Sequence, residues 1–182
     1  MTFSWRNLAG SDPNPMSVKE CLGLQELCEQ LPENPVIVQI GAERGTSTLA
    51  MLEARPDAFI YSIDMGEHPE EFRNLRKAGL DVNRVKRVLG KSQDVGKTWD
   101  KMCDMLFVDG DHRYDGVKSD ILLFRPWVKP GGLIVFHDYI PEPIPAHIRG
   151  RVVYAVDELM TEEYEVLWIE RLKAFIQPNP KP

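Results

Sequence analysis

Cysteine is scarce in this chain and long apolar runs are missing, and each absence removes a class of protein. The three cysteines, Cys21, Cys28 and Cys103, show no C-x-x-C spacing, and their odd number and wide separation do not suggest a disulfide framework. They read as small buried hydrophobes in a reducing compartment. No stretch approaches the roughly 20 apolar residues needed to cross a bilayer. The opening residues, MTFSWRNLAGSDPNP, lack both a basic start and an apolar run, so no secretory signal is expected. A cytoplasmic protein without a membrane partner is the reading. Positive charge is also short: 22 Lys and Arg face 28 Asp and Glu, a net charge of -6, which argues against nucleic acid as a partner. One basic run, Arg73, Arg76, Lys77, Arg84, Lys86, Arg87 and Lys91, reads as a solvated helix face and strand edge.

What remains is an ordinary globular composition, 43% hydrophobic and 27% charged over 182 residues, enough for one domain with a sizeable core. Residues 1–16, rich in Pro, Gly, Asn and Asp, read as a flexible arm, 17–177 as the domain, and 178–182 as a frayed tail. Ser17 and Glu20 form an S-x-x-E capping box for a helix to about Leu31. Short apolar runs then alternate with helical stretches. Strands are expected at Pro35–Ile40, Ala58–Ile63, Val85–Leu89, Asp104–Val108 and Leu133–Phe136, the last following a Pro130-Gly131-Gly132 turn. Helices are expected at Thr46–Ala54, Pro69–Ala78, within Lys91–Lys101, and on the faces marked by Val117, Ile121 and Phe124 and by Val152, Val153, Val156, Leu159 and Met160. Continuous apolar strands separated by helices imply a parallel sheet covered on both faces, a doubly wound Rossmann-like α/β fold. Tyr164–Ile169 and Leu172–Ile176 lie too close for a crossover helix and should pair antiparallel.

In such a sheet a ligand lies beyond the carboxyl ends of the strands. Those ends carry Gly41-Ala42-Glu43-Arg44-Gly45-Thr46-Ser47, then Asp64, then Gly90-Lys91-Ser92, then Asp109-Gly110-Asp111-His112, and finally His137-Asp138. The G-x-x-x-G spacing departs from the G-x-G-x-x-G of dinucleotide sites. Asp64 can accept hydrogen bonds from two ribose hydroxyls. Asp109, His137 and Asp138 converge as metal donors for Mg²⁺ or another divalent cation, and His112 suits general base work near neutral pH. Each position alone has an equally ordinary structural explanation, such as turn geometry, helix capping or a satisfied half-buried imidazole.

The segments VIVQIGAERGTST and DMLFVDGDHRYDGVKSDILLFRPWVKPGGLIVFHDY resemble class I S-adenosylmethionine-dependent methyltransferases, closest to the group with cephalosporin-hydroxylase-like and macrolide O-methyltransferases. The resemblance covers residues 17–160. It implies that Gln39, Gly41, Ala42, Gly45, Thr46 and Ser47 line the methionine end of the cofactor. Asp64 and Met65 would serve its ribose, Gly90 and Ser92 its adenine, and Asp109, Gly110 and His112 the reacting end. Asp109 and His112 are the expected catalytic residues, and Asp109, His137 and Asp138 the expected metal ligands. Gln39 stands where many members carry an acid, and His137 replaces an acid of the metal pair.

The expected reaction is transfer of the cofactor's methyl to a small-molecule hydroxyl, with possible metal assistance. The pocket would be closed by the arm, the Pro141–Gly150 loop or a partner subunit, and a homodimer contact through Trp5 and the Pro-rich loop is one option. Two alternatives stay open: a cofactor-binding protein without transferase activity, and a nucleotide-sugar glycosyltransferase using Asp109 and Asp111 as a D-x-D clamp.

Overall fold

A computed structural model describes residues 3–10, 16–141, 152–161 and 166–178. The strands are β1 (Val36–Ile40), β2 (Phe59–Asp64), β3 (Val85–Leu89), β4 (Cys103–Val108), β5 (Val128–Phe136), β6 (Val166–Ile169) and β7 (Leu172–Ile176). The helices are α1 (Val18–Glu29), α2 (Thr46–Ala54), α3 (Pro69–Lys77), α4 (Ser92–Gly96), α5 (Tyr114–Phe124) and α6 (Val152–Leu159). The seven strands form one sheet in the order β3-β2-β1-β4-β5-β7-β6. Pairings from β3 through β5 are parallel, and β7 joins both β5 and β6 antiparallel. The order reverses between β1 and β4, which opens a crevice at their carboxyl ends.

Each sheet face has its own core. Leu24, Leu49 and Leu75 from α1, α2 and α3 cover one side, and Val117, Ile121, Val152 and Val156 from α5 and α6 cover the other. β4 is buried at every position, as a strand covered on both faces must be. Among the described residues, no helix is long and apolar enough to cross a membrane.

Two expectations change. β5 begins at Val128, five residues before the expected start, and runs through the Pro130-Gly131-Gly132 segment. Val128 pairs with Cys103, and the register then shifts before Leu133 meets Met105. Five steps along β5 match two along β4 there, an irregularity that takes in the two glycines. Residues 3–10 do not behave as a flexible arm. Ser4 caps a 3-10 turn, Trp5–Asn7, and Trp5 is fully buried against the α1/α2 core. A buried Trp5 cannot serve a dimer contact. Residues 1–2 and 11–15 of the arm, most of the Pro-rich loop, part of the Tyr164–Ile169 run and the last residues of the tail lie outside the described residues.

Burying an indole contributes several kcal/mol, so Trp5→Ala should cost roughly 3–5 kcal/mol in a urea titration. A loss under about 1 kcal/mol would return this segment to the status of an arm.

Candidate functional site

Gly41 follows β1 with φ +84°, and a Cβ there would stand 2.0 Å from the Asp109 carbonyl oxygen. Only glycine allows the ends of β1 and β4 to approach this closely. The turn opens a cavity of about 880 Å³ whose wall includes Ala42, Thr46, Ser47, Asp64, Gly90 and Ser92. Met16, at the end of the supposed arm, also lines it.

Gln39 and Gly45 depart from the expected roles. Gln39 is fully buried; its Nε2 donates to the Gly41 carbonyl (3.0 Å) and Ser47 Oγ (3.1 Å), and Oε1 meets Thr48 Oγ1 at 3.1 Å. It holds the turn from behind and does not line the cavity. Gly45 has φ +85°, and a Cβ there would meet Glu71 at 2.9 Å, so it serves packing. Glu71 is itself a buried hub: Oε1 lies 2.8 Å from Thr48 Oγ1 and 2.9 Å from Ser62 Oγ, while Oε2 pairs with Arg87. The single Thr48 hydrogen can serve Gln39 or Glu71, not both. Arg87 therefore leaves the solvated face expected of the basic run. Arg84 also turns inward, donating to the Asp57 carbonyl at 3.2 Å.

Asp64 ends β2 as expected. Its Oδ2 accepts from the Ala42 and Glu43 amides (2.9 and 3.2 Å), and Oδ1 accepts from Gly66 N (2.9 Å) with His68 Nε2 at 3.2 Å. Burial alone would raise its pKa, but these N–H donors favour the charged form and hold it below the usual carboxylate range. Beyond it, exposed Met65 and the Gly90-Ser92 turn continue the wall. Asp120, on α5 behind Ser92, is fully buried, and burial pushes its pKa up to about 6.

At the other end the predicted acids and imidazoles do converge. His112 Nε2 lies 3.5 Å from Asp109 Oδ1 and 3.4 Å from Asp138 Oδ2, and His137 Nδ1 lies 3.1 and 3.4 Å from the same two oxygens. Asp109, His137 and Asp138 each offer a donor atom within 4.8 Å of the others. Asp138 sits at φ +55°, a left-handed conformation uncommon outside glycine. Hydrogen bonding to Asp109 raises the pKa of half-exposed His112. His137 is buried, which disfavours its charge, yet Asp109, Asp138 and Glu20 outweigh burial and raise its pKa to about 12.

Two members of this cluster escaped the sequence reading. Glu20 closes the capping box with Ser17, and its carboxylate also takes Arg171 Nε at 2.6 Å and Nη2 at 2.9 Å and lies 3.3 Å from His137 Nε2. Arg171 Nη1 donates to Asp138 Oδ1 at 2.8 Å. The capping signal was visible; the second task of Glu20 was not. Asp111 is taken by Arg113, with Nη2 at 2.6 Å, rather than joined to Asp109. The D-x-D pair is not formed as a clamp.

Residues 38–139, more than half of the chain, match the family model described as a methyltransferase domain. An uncharacterized protein of Acanthamoeba polyphaga mimivirus is 30% identical over 123 residues, covering 60% of this chain and 56% of its own. A protein of Mycobacterium tuberculosis named as a probable O-methyltransferase is 30% identical over 111 residues, 54% of this chain and 46% of its own. The chain thus spans about half the length of the curated relatives it matches. Among solved structures, the O-methyltransferase NovP superposes with a TM-score of 0.72 at 18% identity, covering 98% of this chain and 87% of that one. The O-methyltransferase TomG of Streptomyces achromogenes, solved with SAM, gives a TM-score of 0.72 at 17% identity, covering 90% and 82%.

Gly41→Ala should destabilise the protein by at least about 2 kcal/mol more than Gly79→Ala. Gly79 shares the positive φ (+74°) but has nothing within 4 Å of an added Cβ, so equal losses in denaturant titration would deny the close approach. Glu20 makes the stability depend on pH. Burial would raise its pKa, but bonds from His137, Arg171 and Ser17 hold it far below the usual range. Its stabilisation is therefore complete above an unfolded value of about 4.3 and lost as pH falls through the depressed one. Glu20→Gln should flatten the acid limb of the stability curve, and an unchanged limb would count against the pairing.

Proposed function

The chain belongs to the methyltransferase-domain family, and from that premise we propose that it transfers the methyl group of S-adenosylmethionine to a hydroxyl of a small molecule. The observation that carries this reading is the cavity at the β1/β4 reversal. It is bounded by the Gly41 turn and Asp64 on one side and by His112, flanked by two carboxylates, on the other. That NovP and TomG are O-methyltransferases supports oxygen as the acceptor atom.

Bound S-adenosylmethionine supplies a methyl carbon on a positively charged sulfur. The residues of this chain supply placement. The Ala42, Glu43 and Gly66 amides donate to Asp64 and hold its carboxylate in place, so its oxygens can accept from ribose hydroxyls where His68 Nε2 now stands. Ser47, which accepts from Gln39, retains its own hydrogen for a carboxylate at the methionine end. His112, whose Nε2–H is held towards Asp109 and Asp138, takes at Nδ1 the proton that the acceptor hydroxyl loses as its oxygen attacks, and the two carboxylates stabilise the resulting imidazolium. Orientation within the cavity accounts for most of the rate.

The chemistry of the donor set also fits a divalent ion. Asp109, His137 and Asp138 would hold it, with His137 offering Nδ1; Glu20 Oε2 stands 3.3 Å from Nε2, the side where a carboxylate commonly supports a metal-ligating histidine, although the two are not aligned as a hydrogen bond. Such an ion would act as a Lewis acid towards an acceptor hydroxyl. A nitrogen among the donors favours Mn²⁺ or Zn²⁺ over Mg²⁺.

Calorimetric titration of S-adenosylmethionine and S-adenosylhomocysteine should show binding that Asp64→Ala weakens about 10- to 100-fold. Incubation with hydroxylated acceptors should release S-adenosylhomocysteine, and His112→Ala should abolish that release while leaving binding intact. Binding without release from any acceptor would favour a non-catalytic role. Titrated without cofactor, Mn²⁺ should bind more tightly than Mg²⁺, and His137→Ala should remove the difference; no uptake of either ion would overturn the metal reading.

A further inference from the structure

Behind the wall formed by Ser92 and Gln93 lies a carboxylate that the reaction above does not use. Asp120, on α5, is fully buried. Its Oδ1 lies 3.5 Å from Gln93 Nε2, and the neighbouring Ser92 side chain favours its charged form. Oδ2 has no hydrogen-bond partner of good geometry and lies 3.8 Å from the point a Cβ on Gly110 would occupy. The carboxylate thus backs both sides of this end of the cavity, Ser92 and Gln93 from α4 and Gly110 from the loop after β4, all of which line it.

An ionised carboxylate only accepts hydrogen bonds, and a hydroxyl has one hydrogen to give. When Ser92 gives its hydrogen to Asp120, its lone pairs are what remains for the cavity. A glutamine whose amide nitrogen turns to Asp120 keeps its carbonyl oxygen free for a ligand. Reversing either group would set a lone pair against a buried carboxylate. We infer that Asp120 is a positioning residue that fixes Ser92 and Gln93 as acceptors, and thereby selects a nucleoside base with an exocyclic amine over one with an oxo group. This rests on the S-adenosylmethionine reading and assigns the part of this chain that tells adenine from its deaminated form.

The test is calorimetry at pH 8 on the full chain, Asp120→Asn and Ser92→Ala. The ligands are S-adenosylhomocysteine and S-inosylhomocysteine, in which an oxo group replaces the amine. The unsubstituted protein should prefer the adenosyl ligand by at least about tenfold. In Asp120→Asn the preference should fall at least fivefold on the order expected for one lost hydrogen-bond choice, because asparagine presents a hydrogen and lets a wall group turn a donor inward. A merely structural role would weaken both ligands together, and an unchanged ratio would overturn the inference. Ser92→Ala lies on the cavity wall and covers a failure of Asp120→Asn to fold: its ratio should fall too, and a constant ratio counts against the proposal. No binding of S-adenosylhomocysteine to the unsubstituted protein would overturn the cofactor reading and this inference with it, whereas binding without preference would overturn this inference alone.

Discussion

The approach of Gly41 to the Asp109 carbonyl sets the geometry on which the site depends. β1 and β4 are neighbours in the sheet, and the chain leaves them toward opposite faces, α2 on one and α5 on the other. The two strand ends must diverge without losing contact, and the left-handed turn at Gly41 achieves this while the Asp109 amide donates to the Ile40 carbonyl at 2.8 Å. Buried Gln39 then ties the turn to the first residues of α2. A cavity wall made of backbone and short side chains follows from that packing.

The second constraint is electrostatic. Glu20, Asp109 and Asp138 bring three carboxylates close together, and in the protein Arg171 and the two imidazoles lie among them. Unpaired charges at such burial would be costly; paired and hydrogen-bonded they give a rigid polar cluster. Because Glu20 belongs to the first helix and Arg171 to the last hairpin, the cluster joins the two ends of the fold at the place where chemistry is proposed. A residue of a helix capping box thereby supports the proposed active centre.

Much of this site was legible along the chain. Strand ends in a parallel sheet share one rim, so Gly41, Asp64, Ser92, Asp109, His112 and Asp138 could be gathered without coordinates, and all of them line the cavity. Gln39 was misjudged because strand position says which rim a residue approaches, not which way a buried amide turns. Trp5 was misjudged because Pro, Gly and Asn around it carry a local turn signal that says nothing of a single indole reaching the core. Glu20, Arg171 and Asp120 were passed over because each has an adequate local explanation: a cap, a hairpin turn, a helix residue.

Periodicity, glycine placement and strand-end residues determined the doubly wound fold and one rim of polar residues, since these depend on backbone geometry repeated over a few neighbouring positions. Only the tertiary structure decided which carboxylates meet which cations, which residues stand in the wall and which behind it, and where Trp5 goes. Those outcomes depend on contacts between segments far apart in the chain, such as Glu20 with Arg171, and their sign is set by burial, which no local pattern of residues records.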